Sequence, residues 1–240
     1  MPAATVIEPD LERPKAGAVK RTLLVAVTTA LWIAIAFAAA GTLNWIRGWI
    51  CVSVYVVTLS ATGVLVRRTN PGLMKVRSSP HWKDTKAFDK VILLLFLPLS
   101  FAQPAIAGLD AVRFHWSSMP FQTVYWGFAL LEFSMAIITW AMMVNPYAES
   151  TVRIQKDRGH KPATSGPYRI VRHPMYVGMI LMYPATALMF GSKWALVVGC
   201  AIAILMVFRT AMEDRTLRRE LPGYEDFAHN TRYRLIPGLW

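Results

Sequence analysis

Long uncharged apolar blocks alternate with short charged stretches along this chain of 240 residues. The first four blocks are Thr22–Leu43, Trp49–Val66, Val91–Leu109 and Gln122–Val144, the last with one acid, Glu132. At about 1.5 Å per residue, a helix of about 20 residues crosses the ~30 Å hydrocarbon core of a bilayer. Two shorter blocks, Tyr176–Phe190 and Trp194–Phe208, predict a helical hairpin that either spans the bilayer or re-enters it. The pattern predicts an all-α, polytopic membrane helix bundle with about six transmembrane helices.

The composition agrees with this fold class, since 55% of the residues are hydrophobic and only 17% are charged. The net charge of +12 would also suit a nucleic-acid binder, but here the charges lie between apolar blocks rather than over a soluble surface. Lys and Arg number 4, 1, 7, 1, 6, 1 and 6 in the successive stretches between blocks. By the positive-inside rule, this alternation predicts an integral protein of the cell inner membrane with both termini in the cytoplasm.

Three regions follow from the blocks: a cytoplasmic N-terminal tail (1–21), four transmembrane helices (22–144), and a catalytic region (145–240) with a cytoplasmic loop, the helical hairpin and a C-terminal tail. Lys20 and Arg21 before an apolar run could also mark a cleavable signal peptide, although that run is long for one. Both cysteines, Cys51 and Cys200, fall inside membrane blocks, so the sequence supports neither a disulfide framework nor a metal site.

Polar and charged residues are concentrated in the loop before the hairpin. Gly166-Pro167 marks a turn, and the His173-Pro174 step predicts extended backbone at His173 that leads into a helix N-terminus. Free N–H groups at such a place suit a carboxylate or another anion. The alternative is that Arg172 and His173 only contact lipid headgroups.

The C-terminal tail supplies a second polar element. Arg209 and Glu213 are four residues apart and therefore share one helix face. They either form one exposed ion pair, which contributes little, or act separately. In that second reading Arg209 binds a carboxylate or phosphate, while Glu213 holds a cation or a ribose hydroxyl. Leu217, Leu221 and Tyr224 form an apolar stripe that indicates packing.

Together, these elements resemble a known family. The motif consists of His160, Thr164-Ser-Gly-Pro-Tyr168 and Arg172-His-Pro-Met-Tyr-Val-Gly178, followed across the hairpin by Glu213-Asp214, Tyr224 and Ile236-Pro237. It is similar to the isoprenylcysteine carboxyl methyltransferase family, and the related phospholipid N-methyltransferases share its broader outline. The resemblance covers roughly residues 145–240.

The resemblance implies S-adenosylmethionine as the cofactor and a lipophilic small molecule or lipid as the acceptor. Arg209 and Glu213 are the implied catalytic residues, and Arg209 would face an acceptor carboxylate. The implied cofactor-binding residues are Gln155, His160, Lys161, Pro162, Ala163, Tyr168, Arg172, His173, Pro174, Met175, Tyr176, Gly178 and Glu213. Two positions depart from the family pattern: Glu213-Asp214 replaces Glu-Glu, and Leu221-Pro222 replaces Phe-Gly.

Several alternatives stay open at this point. A carboxylate acceptor is already ionised at pH 7 and needs no base, whereas an amine would need Glu213, His160 or His173 to take its proton. A membrane reductase of the sterol-reductase type using NADPH, or a non-enzymatic lipid-binding protein whose basic loops contact anionic headgroups, would share parts of the pattern. Glu132 is either a functional group or a protonated or hydrogen-bonded contact between helices.

Overall fold

The computed structural model describes residues 16–77 and 82–240, so most of the predicted N-terminal tail, residues 1–15, lies outside the described residues. Within those ranges the chain forms eight α-helices: α1 (Ala16–Ala40), α2 (Ile46–Thr69), α3 (Pro71–Arg77), α4 (Ala87–Gly108), α5 (Thr123–Val144), α6 (Pro174–Phe190), α7 (Lys193–Glu220) and α8 (Tyr224–Asn230). The all-α prediction is confirmed.

Among the described residues, five helices are long and apolar enough to cross a bilayer: α1 over Thr22–Ala40, α2, α4 with its extension to Arg113, α5, and α7. The sixth apolar helix, α6, has 17 residues and is therefore about 25 Å long. These helices make the chain an integral membrane protein. The predicted hairpin consists of α6 and α7, joined at Gly191 and Ser192.

Two helices extend beyond the apolar blocks that predicted them. α1 begins at Ala16 rather than Thr22, and α7 continues to Glu220 rather than ending at Phe208. A block ends at its first charge, but a helix continues through charged residues, which are good helix formers. The extension of α7 carries Arg209, Glu213 and Asp214 out of the apolar bundle on one continuous helix.

Helices α5 and α6 pack closely against each other at Gly178. A Cβ atom on Gly178 of α6 would lie 2.5 Å from Cγ1 of Ile138 and 2.6 Å from the carbonyl oxygen of Ser134 in α5. Small residues allow such close approach between membrane helices. The sequence predicted Gly178 as a cofactor-binding residue, whereas the structure places it in this helix contact.

Hydrogen bonds also cross between α2 and α5. The Thr58 hydroxyl donates to the Glu132 carboxylate at 2.7 Å, and the Thr62 and Thr139 hydroxyls are 2.7 Å apart. Glu132 therefore has a hydrogen-bonded contact between helices, one of the two roles considered for it.

The helix ends meet at two poles. At the loop end, the C-terminal ends of α2, α5 and α7 meet the N-terminal ends of α4 and α6 and the segment 145–173. At the hairpin end, the segment after α1, the start of α2, the segment between α4 and α5, and the α6–α7 turn come together.

Candidate active site

The segment after α5 folds over the loop end and is fixed at its start by Asn145. Its side-chain amide donates to the Tyr168 hydroxyl at 2.9 Å, and its side-chain oxygen accepts from the backbone N–H of Tyr147 at 2.8 Å. This second bond is the local turn that Asn favours. Asn145 thus connects both ends of the segment that carries the predicted histidine.

Asp214 is the centre around which the tail is attached. This fully buried carboxylate accepts hydrogen bonds from Nε of Arg172 at 2.8 Å, the Tyr224 hydroxyl at 3.0 Å and Nε of Arg234 at 2.8 Å. Nε2 of His173 lies 3.2 Å away. Burial and the Asp214 charge raise the pKa of the Tyr224 phenol, so it stays protonated and donates. The second acid of the Glu213-Asp214 pair therefore joins the loop, α7, α8 and the tail.

Arg172 faces the interior rather than lipid headgroups. It is 4% exposed, and its Nη1 donates to the carbonyl oxygens of Thr231 and Arg232 at 2.8 and 2.7 Å. Its backbone N–H donates to Tyr233 O at 2.8 Å. The headgroup alternative is wrong for Arg172, because its guanidinium holds Asp214 and the tail.

Arg209 pairs with a residue from a distant helix. Its Nε and Nη2 donate to the two carboxylate oxygens of Asp89 at 2.8 and 3.2 Å, and Nη2 also donates to Ser150 O at 2.9 Å. The guanidinium lies 5.4 Å from the centre of the Tyr176 ring. The alternative of an exposed Arg209–Glu213 ion pair is wrong, because Arg209 is 5% exposed and paired with Asp89.

Asp89 was missed by the sequence reasoning. It lies in the first turn of α4, is fully buried, and also accepts from the backbone N–H of Val152 at 2.7 Å. In the sequence it stands among Lys83, Asp84, Lys86 and Lys90, where an acid resembles any solvated charge. Its position just before an apolar block was the one available signal.

Glu213 remains without a cationic partner. It accepts a short hydrogen bond from the Tyr176 hydroxyl, and it is half-buried. Among the residues that the structure describes, no Lys, Arg or His forms an ion pair with it. The first acid of the pair therefore differs from Asp214, because its described contacts are the Tyr176 hydroxyl and the field of the nearby Arg209 charge.

His160 lies over an aromatic ring at the rim of the site. Its ring centre is 4.6 Å from that of Tyr147. Burial, together with the positive charges of Arg153 and Arg158, lowers the pKa of the His160 imidazole to about 4. The imidazole is therefore uncharged at neutral pH.

The side chain of Gln155, one of the predicted cofactor-binding residues, forms hydrogen bonds within the protein. Its Nε2 donates to Tyr147 O at 2.8 Å, and its Oε1 accepts from Nη1 of Arg158 at 2.6 Å. Close by, Arg153 donates to both carboxylate oxygens of Glu149 at 2.9 and 2.8 Å and to Asp157 at 2.8 Å. These bonds shape the loop around the cavity.

Most of the predicted residues line one cavity. Its volume is about 740 Å³, including the part that is open to solvent. The predicted residues that line it are Gln155, His160, Lys161, Pro162, Ala163, Tyr168, Arg172, His173, Met175, Tyr176, Arg209 and Glu213. Pro174, the first residue of α6, and Gly178 are not among its lining residues. Lining residues that the sequence did not assign include Asn145, Tyr147, Glu149, Thr151, Arg153 and Phe227. Leu217, Leu221 and Tyr224 pack together as predicted, and they also line the cavity.

Comparison with protein families assigns this region. Residues 122–222 match the family model described as phospholipid methyltransferase. A search of curated proteins found no match. The matched range holds α5, the loop, α6 and α7, and it supports methyl transfer over the reductase and the non-enzymatic alternatives. The match is to the broader outline that the sequence resembled, not to the isoprenylcysteine branch. Residues 122–222 thus carry a match to the phospholipid methyltransferase family model, and this match identifies the protein as a membrane methyltransferase that uses S-adenosylmethionine.

Proposed function

We propose that this protein methylates the polar group of a lipophilic acceptor at the loop end, with S-adenosylmethionine bound in the cavity described above. The charge arrangement of the cavity carries the proposal. Three buried arginines line it, and each is paired with a carboxylate: Arg153 with Glu149, Arg172 with Asp214, and Arg209 with Asp89. Within residues 16–77 and 82–240, the hydrogen-bond partner of the Glu213 side chain is the Tyr176 hydroxyl. Lys161 also lines the cavity, as an exposed cation. Among the described residues, Glu213 is the lining carboxylate without an ion pair, so it is the group that we assign to a cationic ligand.

The other lining groups suit the same ligand. When bound, S-adenosylmethionine supplies a methyl group on a positively charged sulfur, which keeps the bonding electron pair when the methyl leaves. The rings of Tyr147, Tyr168 and Tyr176 line the cavity, and aromatic faces attract cations. His160 is neutral and adds no opposing charge. The lining residues therefore suit S-adenosylmethionine as the methyl donor. The remaining task of the fold is to align the methyl group with the acceptor.

For the acceptor, we infer a carboxylate held by Arg209. Nε and Nη2 of Arg209 are occupied by Asp89 and Ser150, and within the described ranges Nη1 makes no hydrogen bond. One hydrogen bond from Nη1 can orient a carboxylate. Asp89 offsets the positive charge that would otherwise hold the nucleophile too tightly. No base is needed, because a carboxylate is ionised at pH 7.

An amine is the second candidate acceptor. The observation in its favour is that Asp89 already neutralises Arg209, while Glu213 and Tyr176 form a hydrogen-bonded pair beside it. Glu213 would then accept the proton that the amine must lose. Labelled methyl product separates the two candidates, since a methyl ester is cleaved by base and an N-methyl group is not.

We also propose that the loop end faces the cytosol. Two features support this orientation: the alternation of Lys and Arg along the chain, and the location of the candidate cavity at the end where a soluble donor would reach it. Asp89, Tyr176 and Arg209 come from α4, α6 and α7. A lipophilic acceptor would approach the cavity between these helices, from the bilayer.

Calorimetric titration of the purified protein tests the donor site. We expect Glu213→Gln to weaken binding of S-adenosylmethionine at least about tenfold, since a charge-assisted interaction of roughly 1.5–3 kcal/mol is lost. Binding of S-adenosylhomocysteine, whose sulfur is neutral, should weaken less. Glu220→Gln is the matched control, because Glu220 is an exposed acid of the same helix that pairs with Lys86. Failure of the unsubstituted protein to bind either compound would overturn the proposal, and so would equal losses for both compounds.

A further inference from the structure

The hairpin end holds an open groove that is separate from the candidate active site. It lies between the start of α2, the segment before α5 and the α6–α7 turn. Its volume is about 1690 Å³, including the part that is open to solvent. Arg47, His115, Trp116, Phe121, Lys193 and Trp194 are among its lining residues. None of these residues lines the cavity at the loop end.

Arg47 is fixed in this groove. Its Nη2 donates to Met119 O at 2.8 Å, its Nη1 donates to the Thr123 hydroxyl at 3.2 Å, and its guanidinium lies 5.3 Å from the centre of the Phe121 ring. Gly191, at φ +80°, packs against it so closely that a Cβ there would lie 2.1 Å from Nη1. The cation is therefore held in one position before any ligand binds.

No carboxylate of the described residues forms an ion pair with Arg47. The segments 41–47, 109–122 and 191–194 contain a single acid, Asp110. Asp110 is fully buried, and its Oδ2 accepts from the hydroxyls of Ser117 and Ser192 at 2.7 and 2.5 Å and from the backbone N–H of Trp194 at 3.3 Å. Arg47 donates only to neutral oxygens, and the Lys193 side chain is exposed. The groove thus presents two cations that have no acidic partner among the residues that the structure describes.

Exposed aromatic rings surround these cations. Trp116 and Trp194 line the groove and are 56% and 54% exposed, and Trp49 lies nearby on α2 with 44% exposed. Trp is enriched where a membrane protein meets the headgroup layer. These exposed Trp side chains favour a position of the groove in the headgroup layer, where lipid phosphates are found.

We propose that this groove binds the phosphate of an anionic phospholipid, with Arg47 and Lys193 as its donors. Guanidinium and ammonium groups form charge-assisted hydrogen bonds with phosphate oxygens, and a fixed Arg does so at a smaller cost in side-chain entropy. The lipid would be a bound partner of the hairpin end, at a distance from the methyl-transfer chemistry. The inference does not rest on the proposed acceptor or donor site.

Lipid retention by the full chain tests this proposal. The protein is reconstituted in vesicles of phosphatidylcholine with phosphatidylglycerol, extracted in mild detergent, and examined by native mass spectrometry for retained phosphatidylglycerol. We expect Arg47→Gln and Lys193→Gln each to reduce retention about tenfold, which corresponds to one lost charge-assisted bond. Arg113→Gln is the matched control, because Arg113 is an exposed cation of the same end that does not line the groove.

The outcomes separate the sources of phosphate. Retention that survives in Arg113→Gln but not in Lys193→Gln supports a lipid site, even if Arg47→Gln folds poorly. Equal loss in all three variants would reduce the effect to general charge and overturn the site. Inorganic phosphate is the second probe: if it displaces the lipid or raises the unfolding temperature as much as the lipid does, the ligand is a soluble anion rather than a phospholipid.

Discussion

Asp89 and Arg209 form a buried ion pair, in which each charge compensates the other. Removing one member of such a pair leaves an uncompensated buried charge, which costs about 3–5 kcal/mol. We therefore expect Asp89→Asn to lower the unfolding temperature strongly, as measured by thermal unfolding in detergent. Lys86→Gln is the control, since the Lys86–Glu220 pair is exposed and such pairs contribute up to about 1 kcal/mol. Similar effects of the two substitutions would contradict the role assigned to Asp89.

His160 makes the stability of the loop depend on pH. Its pKa in the folded chain is about 4, below the ordinary value of 6.5. The unfolded chain therefore takes up the proton more readily, and the free energy of unfolding falls as the pH is lowered from about 6.5 to about 4. Above this window the imidazole is neutral in both states and contributes no pH dependence.

Unfolding temperatures recorded across this pH range test the prediction. We expect His160→Asn to flatten the decline between pH 6.5 and 4, whereas His229→Asn, on an exposed residue of α8, should leave it unchanged. An unchanged decline in His160→Asn would show that other groups titrate there.

Sequence spacing reveals which residues share a helix face, but not what that face meets. The spacing of Arg209 and Glu213 was right, and both line the cavity. Their partners, Asp89 and Tyr176, lie 120 and 37 residues away along the chain. Such pairs depend on helix packing, so a single sequence could not supply them. Asp214 could be located by its motif, yet its contacts with Arg172, His173, Tyr224 and Arg234 depend on the folded loop and tail.

The contact between α5 and α6 depends on the small size of Gly178. We expect Gly178→Ala to lower stability by about 1–3 kcal/mol, because the added methyl group would overlap Ile138 and Ser134 unless the helices separate. Gly63→Ala in α2 is the control: no atom lies within 4 Å of the added Cβ, so the change should be neutral or stabilise by up to ~1 kcal/mol. Thermal unfolding of both variants measures the difference, and equal behaviour would contradict the packing role.

At the level of elements, uncharged blocks predicted the membrane helices well and their ends less well. Hydropathy records where apolar residues stop, and Arg209 ended the last block although α7 continues to Glu220. The short helices α3 and α8 could not be predicted in this way, because each has 7 residues and depends on contacts made after folding.

Across the whole molecule, Asp214 holds the loop, α8 and the tail together at the loop end. We expect Asp214→Asn to loosen the loop and the tail while the membrane bundle stays folded, since the bonds from Arg172, Tyr224 and Arg234 would all weaken. In limited proteolysis, the variant should be cleaved within residues 145–173 and after Asn230 faster than the unsubstituted protein. Asp226→Asn is the control, because Asp226 is an exposed acid on α8. Equal cutting in both variants would contradict the role of Asp214 in holding the loop and tail.

The Asp89–Arg209 pair also limits how this protein can be recombined. The matched domain covers residues 122–222, but Asp89 belongs to α4, outside that range. A chimera that combines the domain with the N-terminal helices of another methyltransferase would leave Arg209 buried without its counter-charge, unless the donor helix carries an acid at the same depth. The two halves must therefore be exchanged together, and any redesign of acceptor preference through the first helices has to keep this one carboxylate.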